Sequence, residues 1–261
     1  MDILSTAALV LGVYMMGAFI VSLIRRDNGT ADIAYGWGFA LVAWTTFVAG
    51  VPGPAALVAS ILATIWAARL SVRIYLRSRG KPEDFRYKAW RDAWGKTFVI
   101  RSLLQVYLLQ GIVIFLVALP ISLLNIYGAM SGIGSLALIG FLLWAIGFFF
   151  EAVGDYQLAR FIANPANKGK VMDQGLWRYT RHPNYFGESL MWWGLALASA
   201  SILVPILGVL GFIPFISPVL ITFLLLKVSG VPLLEARFAG QPLWEAYKAK
   251  TSVFFPLPPK R

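Results

Sequence analysis

The segment Gly175-Leu-Trp-Arg-Tyr-Thr-Arg-His-Pro-Asn-Tyr-Phe-Gly-Glu188 gathers an unusual density of chemically useful groups. It holds His182, the only histidine in 261 residues. Arg178 and Arg181, with Lys168 and Lys170 just upstream, can neutralise a polyphosphate, and the guanidinium fork matches phosphate oxygens in pairs. Trp177, Tyr179 and Tyr185 offer rings that can stack on a flat heterocycle. Pro183 stops a preceding helix and suits the first turn of the next. Gly187 permits close backbone approach. These residue types in this order predict a binding site for an anionic, aromatic cofactor.

Other charges lie in or against strongly apolar sequence. Asp32 precedes Tyr35 by about one helical turn, on one face. Arg69, Arg73 and Arg77 repeat every fourth residue and form a basic stripe. Glu151 and Asp155 share a face, as do Glu188 and Trp192. A charge at membrane depth costs about 2.5–3.5 kcal/mol on insertion scales, so it points to function by default. Plainer readings exist for each. Terminal arginines reach lipid headgroups, acids pair with them as structural ion pairs, and Asp32 can cap its own helix.

These groups must be positioned by membrane helices. The chain is 59% hydrophobic with a mean hydropathy of +0.71, well above the about 45–50% apolar content of soluble domains. Apolar runs predict seven spans in an all-α integral membrane bundle. They fall at about Ser5–Ile24, Asp32–Gly50, Pro54–Leu76, Thr97–Leu124 and Gly134–Asp155, then two between Tyr185 and Gly230. The last two are parted around Ser201 to Pro218, where Pro205, Gly208, Gly211 and Pro214 cluster. The first run is followed, not preceded, by Arg25 and Arg26, so it reads as a retained span rather than a cleaved signal.

The 23 Lys and Arg residues support this count. They gather at Arg25 and Arg26, from Arg69 to Arg101, from Arg160 to Arg181, and from Lys227 to Arg261. None is left for the alternate loops, which places the N-terminus outside and the C-terminus in the cytoplasm. The two long loops, Arg77 to Lys96 and Tyr156 to Asn184, then both face the cytoplasm. Their aromatic content predicts order. The whole of 1–261 reads as one membrane domain, with the cofactor site mainly in 151–261.

The same sequence excludes several classes. It has no cysteine, hence no disulfide, thiolate nucleophile or cysteine-bound metal. One histidine argues against a zinc or haem site. The net charge of +11 is the expected product of basic cytoplasmic loops, not a nucleic-acid footprint. No glycine-rich dinucleotide fingerprint follows a strand. Gly95-Lys-Thr97 lacks the first glycine of a phosphate loop, which would fall at Trp90.

Arg181-His-Pro-Asn-Tyr-Phe-Gly-Glu188 resembles the C-terminal signature of membrane sterol and steroid reductases. With Asp155-Tyr-Gln157 and the lead-in from Gly175, it is similar to the steroid 5-alpha-reductase family, in particular its little-characterised bacterial branch. Leu109-Gln-Gly111 and the tail Tyr247 to Pro256 are weaker matches. The resemblance covers roughly the C-terminal two-thirds. It implies seven spans, cytoplasmic NADPH, and reduction of a carbon–carbon double bond conjugated to a ketone. Its suggested cofactor contacts are Asp155, Lys170, Tyr179, Asn184 and Glu188, with Arg181 and His182 matching the sterol-reductase form. The family's Gln-Glu pair in span two is missing here. Asp32, Tyr35 and Trp37 stand in that span, which leaves a steroid substrate open.

The expected enzyme is thus an NADPH-dependent reductase of a lipophilic, steroid-like or isoprenoid enone drawn from the bilayer. It is expected in a bacterial inner membrane with its active site facing the cytoplasm. Lys170, Arg178, Arg181 and Arg86 would meet phosphates, and Tyr179, His182, Asn184 and Tyr185 the rest of the cofactor. Asp32, Tyr35 and Glu188 are the catalytic candidates, a protonated Asp32 or Tyr35 polarising the carbonyl. Isoprenylcysteine and phospholipid methyltransferases carry a similar Arg-His-Pro segment, a Tyr and a later Glu, and bind S-adenosylmethionine. Asn184 and the basic loop favour the reductase. A lipid-binding or transport protein is the remaining alternative.

Overall fold

The computed structural model describes residues 1–128 and 132–260. Arg261, counted above in the basic tail, lies outside them. Among the described residues the fold is helical, with one isolated parallel bridge between Thr180 and Ser252. Five stretches are long and apolar enough to cross a membrane: Ile3–Arg25, Pro54–Ser78, Phe85–Val117, Ser135–Ala163 and Pro183–Glu235. The chain divides into two compact units, 1–137 with 199–214, and 138–198 with 215–261.

The first unit opens with α1 (Ile3–Arg25), α2 (Thr30–Ala49) and α3 (Pro54–Ser78). Asp2 caps α1 by accepting the Ser5 N–H at 2.7 Å. Pro54 opens α3 at its first turn, where its missing N–H costs nothing. The facing sides of α2 and α3 are small: Gly36, Ala40 and Ala43 on one, Ala59, Ala63 and Ala67 on the other, all buried. Small faces let backbones approach where lipid offers no hydrophobic drive to pack. Gly36 sits so close to Ala67 and Ser71 that a Cβ would collide with the Ser71 hydroxyl.

The expected fourth span is not one uninterrupted helix. α4 (Phe85–Trp94) forms inside the first polar loop, capped by Asp84, which accepts the Arg86 N–H at 3.0 Å. α5 (Phe98–Ser102) leads into a π-helical turn, Leu103–Leu108, and then α6 (Leu109–Val117). Pro120 forces a break, and α7 (Leu119–Tyr127) follows. Asn125, fully buried on α7, donates to the Ala43 carbonyl at 2.8 Å and to Thr46 Oγ1 at 2.9 Å, and accepts from Ser60 at 3.3 Å. One amide therefore ties α7 to both α2 and α3.

The second unit is built on α8 (Ser135–Ala163) from residue 138 onward and on α9 (Pro183–Leu207) as far as residue 198. α8 continues two turns past the expected end at Asp155, and its extra turns carry Tyr156, Gln157 and Arg160. Glycines recur at every seventh position, Gly140, Gly147 and Gly154 on α8, Gly187 and Gly194 on α9. They meet in antiparallel pairs, Gly140 with Gly194 and Gly147 with Gly187, where any Cβ would fall under 3.0 Å from the facing carbonyl oxygen. Gly208, at φ +59, ends α9 in the left-handed conformation and starts the irregular turn Gly208–Phe215. α10 (Ile216–Phe223), α11 (Val231–Glu235) and α12 (Pro242–Lys250) follow along the chain.

Candidate functional site

The signature segment is held by the tail of its own unit. Trp177 donates its indole N–H to the Gly154 carbonyl of α8 at 2.9 Å, and Tyr247 of α12 donates its hydroxyl to the Trp177 carbonyl at 2.5 Å. Burial raises the Tyr247 hydroxyl pKa, so it remains a donor. The Leu176 N–H is taken by Gln157 at 2.9 Å, where Gly175 turns with φ +58 directly over that amide. The Ser252 carbonyl accepts the Arg181 N–H at 2.8 Å, and the Tyr179 carbonyl accepts the Leu257 N–H at 3.0 Å. The segment therefore enters α9 as part of a stitched, ordered surface. The His182 carbonyl accepts from Phe186 at 3.0 Å and closes the first turn of α9 behind Pro183.

Arg181 is buried and fully engaged. Its Nε and Nη2 donate to the Glu235 carboxylate at 2.8 and 3.4 Å, and its Nη1 donates to the carbonyls of Thr251 and Lys248 at 2.6 and 3.1 Å. Glu235 also meets His182 Nε2 at 2.9 Å. The imidazole is 3% exposed and stacks on Tyr185 with centroids 5.2 Å apart. His182 Nδ1 and Asn184 Oδ1 are buried without hydrogen-bond partners among the described residues. Glu151 and Asp155 are buried on α8, and Gly154 packs on Pro183 and the Asn184 backbone. Glu188 follows Asn184 by one turn of α9 and is half-buried.

Lys170 and Arg178 lie elsewhere in the same unit, on the wall of an open groove of about 810 Å³. Asp173, Tyr247, Lys250 and Thr251 share that wall. Three cations against one carboxylate give the groove a positive balance suited to phosphates. The cations sought for phosphates in this loop thus divide: Lys170 and Arg178 stand in the groove, while Arg181 is spent on Glu235 and on tail carbonyls.

In the first unit the structure pairs two residues that the sequence reading assigned to different tasks. Arg86 donates to Asp32 Oδ2 at 2.7 Å and to Asp84 at 2.9 Å. Tyr87 donates to Asp32 Oδ1 at 2.6 Å, and Gln110 approaches the same oxygen at 3.5 Å. Asp32 is thereby an acceptor on both oxygens, the arrangement of an ion-paired carboxylate. Tyr35, half-buried one turn on, meets the Phe39 ring at 5.1 Å. Glu83 binds Arg91 at 2.8 Å and the Asn28 N–H at 2.9 Å. Burial opposes ionisation of Glu83, but Arg91 and that N–H outweigh it and hold the carboxyl below its usual pKa. Burial likewise opposes ionisation of Asp84, and its bonds to Arg86 pull its carboxyl down in the same way. An apolar groove of about 280 Å³ lies between α1 and the Leu103–Leu116 stretch, lined by Leu11, Met15, Tyr107 and Phe115 among others.

Sequence reasoning did not single out Glu235 or Lys250, and it named Tyr247 only as the start of the weakly matching tail. Glu235 is 53 residues from His182 and sits on the five-residue α11. No local spacing connects it to the signature. The available signal was the scarcity of acids: only 12 Asp and Glu balance 23 Lys and Arg, so an acid beside an apolar run has a buried partner to serve.

Several known proteins resemble parts of this chain. It is 41% identical over 64 residues to a probable O-methyltransferase of Ustilaginoidea virens, covering 24% of this chain and 22% of that protein. It is 42% identical over 66 residues to human 3-oxo-5-alpha-steroid 4-dehydrogenase 1, covering 25% of each. It is 26% identical over 173 residues to an uncharacterized protein of Schizosaccharomyces pombe, covering 56% of this chain and 50% of that one. The chain thus spans about a quarter of the length of the curated enzymes it matches. No solved structure matches it. A family model described as a protein of unknown function, DUF1295, matches residues 18–251, and the chain belongs to that steroid 5-alpha-reductase-like family.

Proposed function

We propose that this protein is a membrane reductase that uses NADPH to saturate a carbon–carbon double bond conjugated to a ketone in a lipophilic molecule. The observation that carries this reading is Asn184, whose side-chain oxygen is buried inside the family signature without a partner among the described residues. An amide there can accept from and donate to a carboxamide, the group that distinguishes nicotinamide. The basic groove at Lys170, Arg178 and Lys250 suits the phosphates, and Tyr179, exposed beside Arg178, suits a stacked ring. Arg181 holds Glu235 and, through the Thr251 and Lys248 carbonyls, the tail, rather than a phosphate. The matched human steroid dehydrogenase supports the same chemistry.

When bound, NADPH supplies the hydride. The chain's own residues must orient the nicotinamide, exclude water and deliver a proton. For that proton each unit offers a candidate. In the first, Tyr35 is favoured over Asp32, because Asp32 already accepts from Arg86 and Tyr87. In the second, Glu188 follows Asn184 on α9. An elongated substrate, steroid-like or isoprenoid, would be drawn from the bilayer. Seven crossings, with the N-terminus outside and the basic loops in the cytoplasm of a bacterial inner membrane, complete the proposal.

A methyltransferase acting on a lipid or isoprenoid is the second reading, favoured by the match to the probable O-methyltransferase. S-adenosylmethionine carries no phosphate and has less use for the groove's cations. The test is a thermal shift on the purified, detergent-solubilised protein. NADPH raises the melting temperature and S-adenosylmethionine does not, and a panel of membrane-soluble enones then yields NADPH oxidation. Stabilisation by the methyl donor alone would overturn the reductase reading.

A further inference from the structure

We infer that Glu235 fixes the tautomer of His182, so that the imidazole presents Nδ1 as a bare acceptor for an N–H or O–H carried by the bound ligand. Glu235 faces two donors, Arg181 Nε at 2.8 Å and His182 Nε2 at 2.9 Å. A carboxylate held by a guanidinium can only accept, so the proton of a neutral imidazole must reside on Nε2. The ring's orientation is set as well, because it stacks on Tyr185 with an interplanar angle of 10°. The consequence falls on the other nitrogen. Nδ1 becomes a lone-pair acceptor, it is buried, and no group of the described chain donates to it.

Buried acceptors in folded proteins are nearly always satisfied, so an orphan of this kind points to a donor supplied from outside the chain. Asn184, two residues along the same segment, carries a second buried orphan acceptor, Oδ1. Two such acceptors in one segment select a ligand that brings hydrogen-bond donors, such as a carboxamide or an amine, and disfavour one that presents only acceptors. Glu235 is therefore a positioning residue that acts through His182. The naming of nicotinamide as the donor rests on the reductase reading above, whereas the tautomer assignment does not.

The chain's single histidine makes the test direct, since labelling histidine with nitrogen-15 gives one imidazole. Full-length protein in lipid nanodiscs is expected to show Nε2 protonated and Nδ1 unprotonated. Titration with NADPH is expected to shift Nδ1 and to leave Nε2 nearly still. Glu235→Gln removes the charge but keeps an acceptor for Arg181, and it is expected to populate the Nδ1–H tautomer and weaken NADPH roughly tenfold, the loss of about one hydrogen bond. His182→Gln keeps a donor toward Glu235 and lacks the Nδ1 acceptor. It is expected to melt near the wild type and to show a similar loss of affinity. An Nδ1–H ring in the wild type, an unchanged tautomer in Glu235→Gln, or saturation by NADPH with no movement of Nδ1 would each overturn the inference. If the tautomers behave as expected but NADPH fails to bind, the positioning role is supported and the reductase reading falls.

Discussion

Arg181 and Glu235 form a two-point ion pair that fastens the start of α9 to α11, and the remaining guanidinium nitrogen reaches the carbonyls of Lys248 and Thr251. The pair is mostly buried, 9% and 13% exposed by side chain. Cutting one partner of such a pair strands a charge and costs about 3–5 kcal/mol. Arg181→Ala is expected to lower the melting temperature sharply and to free the tail, read as faster proteolysis after residue 250. A stable Arg181→Ala protein with normal tail protection, but without nucleotide affinity, would instead return Arg181 to the phosphates.

The glycine contacts give a second expectation. Gly187→Ala places a methyl group against the Gly147 carbonyl and the Glu151 N–H. Overpacking of this kind costs roughly 1–3 kcal/mol. Gly12 and Gly17 on α1 have open space, with nothing within 4 Å of where a Cβ would lie, so alanine there is expected to be neutral or stabilising. Melting curves of the three variants in one detergent decide the matter, and equal behaviour would remove the close-approach argument.

Lys170 and Arg178 stand in the open groove, away from the buried core, so their loss is expected to spare the fold. Each alanine variant should weaken NADPH by about tenfold to a hundredfold, as charge-assisted bonds worth roughly 1.5–3 kcal/mol are lost. NADH, lacking the extra phosphate, should lose less with at least one of the two. Equal loss of both nucleotides in both variants would move the phosphate site elsewhere. Asn184→Ala should weaken both nucleotides alike.

Acid should loosen the clamp between the start of α2 and α4. The Glu83 and Asp84 pKa values are depressed in the fold, so their contribution to stability is present above the ordinary carboxylate range. It is lost as pH falls through the depressed values. Glu83→Gln is therefore expected to be less stable than the wild type at neutral pH and to converge with it in strong acid. Hydrogen exchange across 83–91 measures this, and a stability gap that persists at low pH would refute it.

The apolar spans were legible because hydropathy and length mark them directly, and Pro183 and Gly208 announced their own breaks, while the break at Pro120 was passed over inside the expected fourth span. α2 was legible as a helix, yet Asp32, Tyr35 and its glycines and threonines make it less apolar than the five stretches able to cross a membrane. α4 stayed hidden because its sequence, Phe85 to Trp94, is too polar to signal a span and too short for a clear period. In the site, the chemistry-bearing segment 175–188 could be read from residue types alone. Its partners could not. Glu235, Tyr247 and Ser252 reach it only through folding, and Asp32 with Arg86 read as two separate functions until their 2.7 Å contact joined them. The seven-residue glycine spacing in α8 and α9 was in the sequence throughout, and only its antiparallel match gives it meaning.

That match works as a ruler. A slip of α9 along α8 by one turn would drive side chains into the slots that Gly140, Gly147, Gly187 and Gly194 keep clear. The level of Asn184 and Glu188 relative to Glu151 and Asp155 is therefore set by backbone contact, not by adjustable side chains. A cofactor seated there, as proposed above, would meet a fixed spacing that the helices do not adjust.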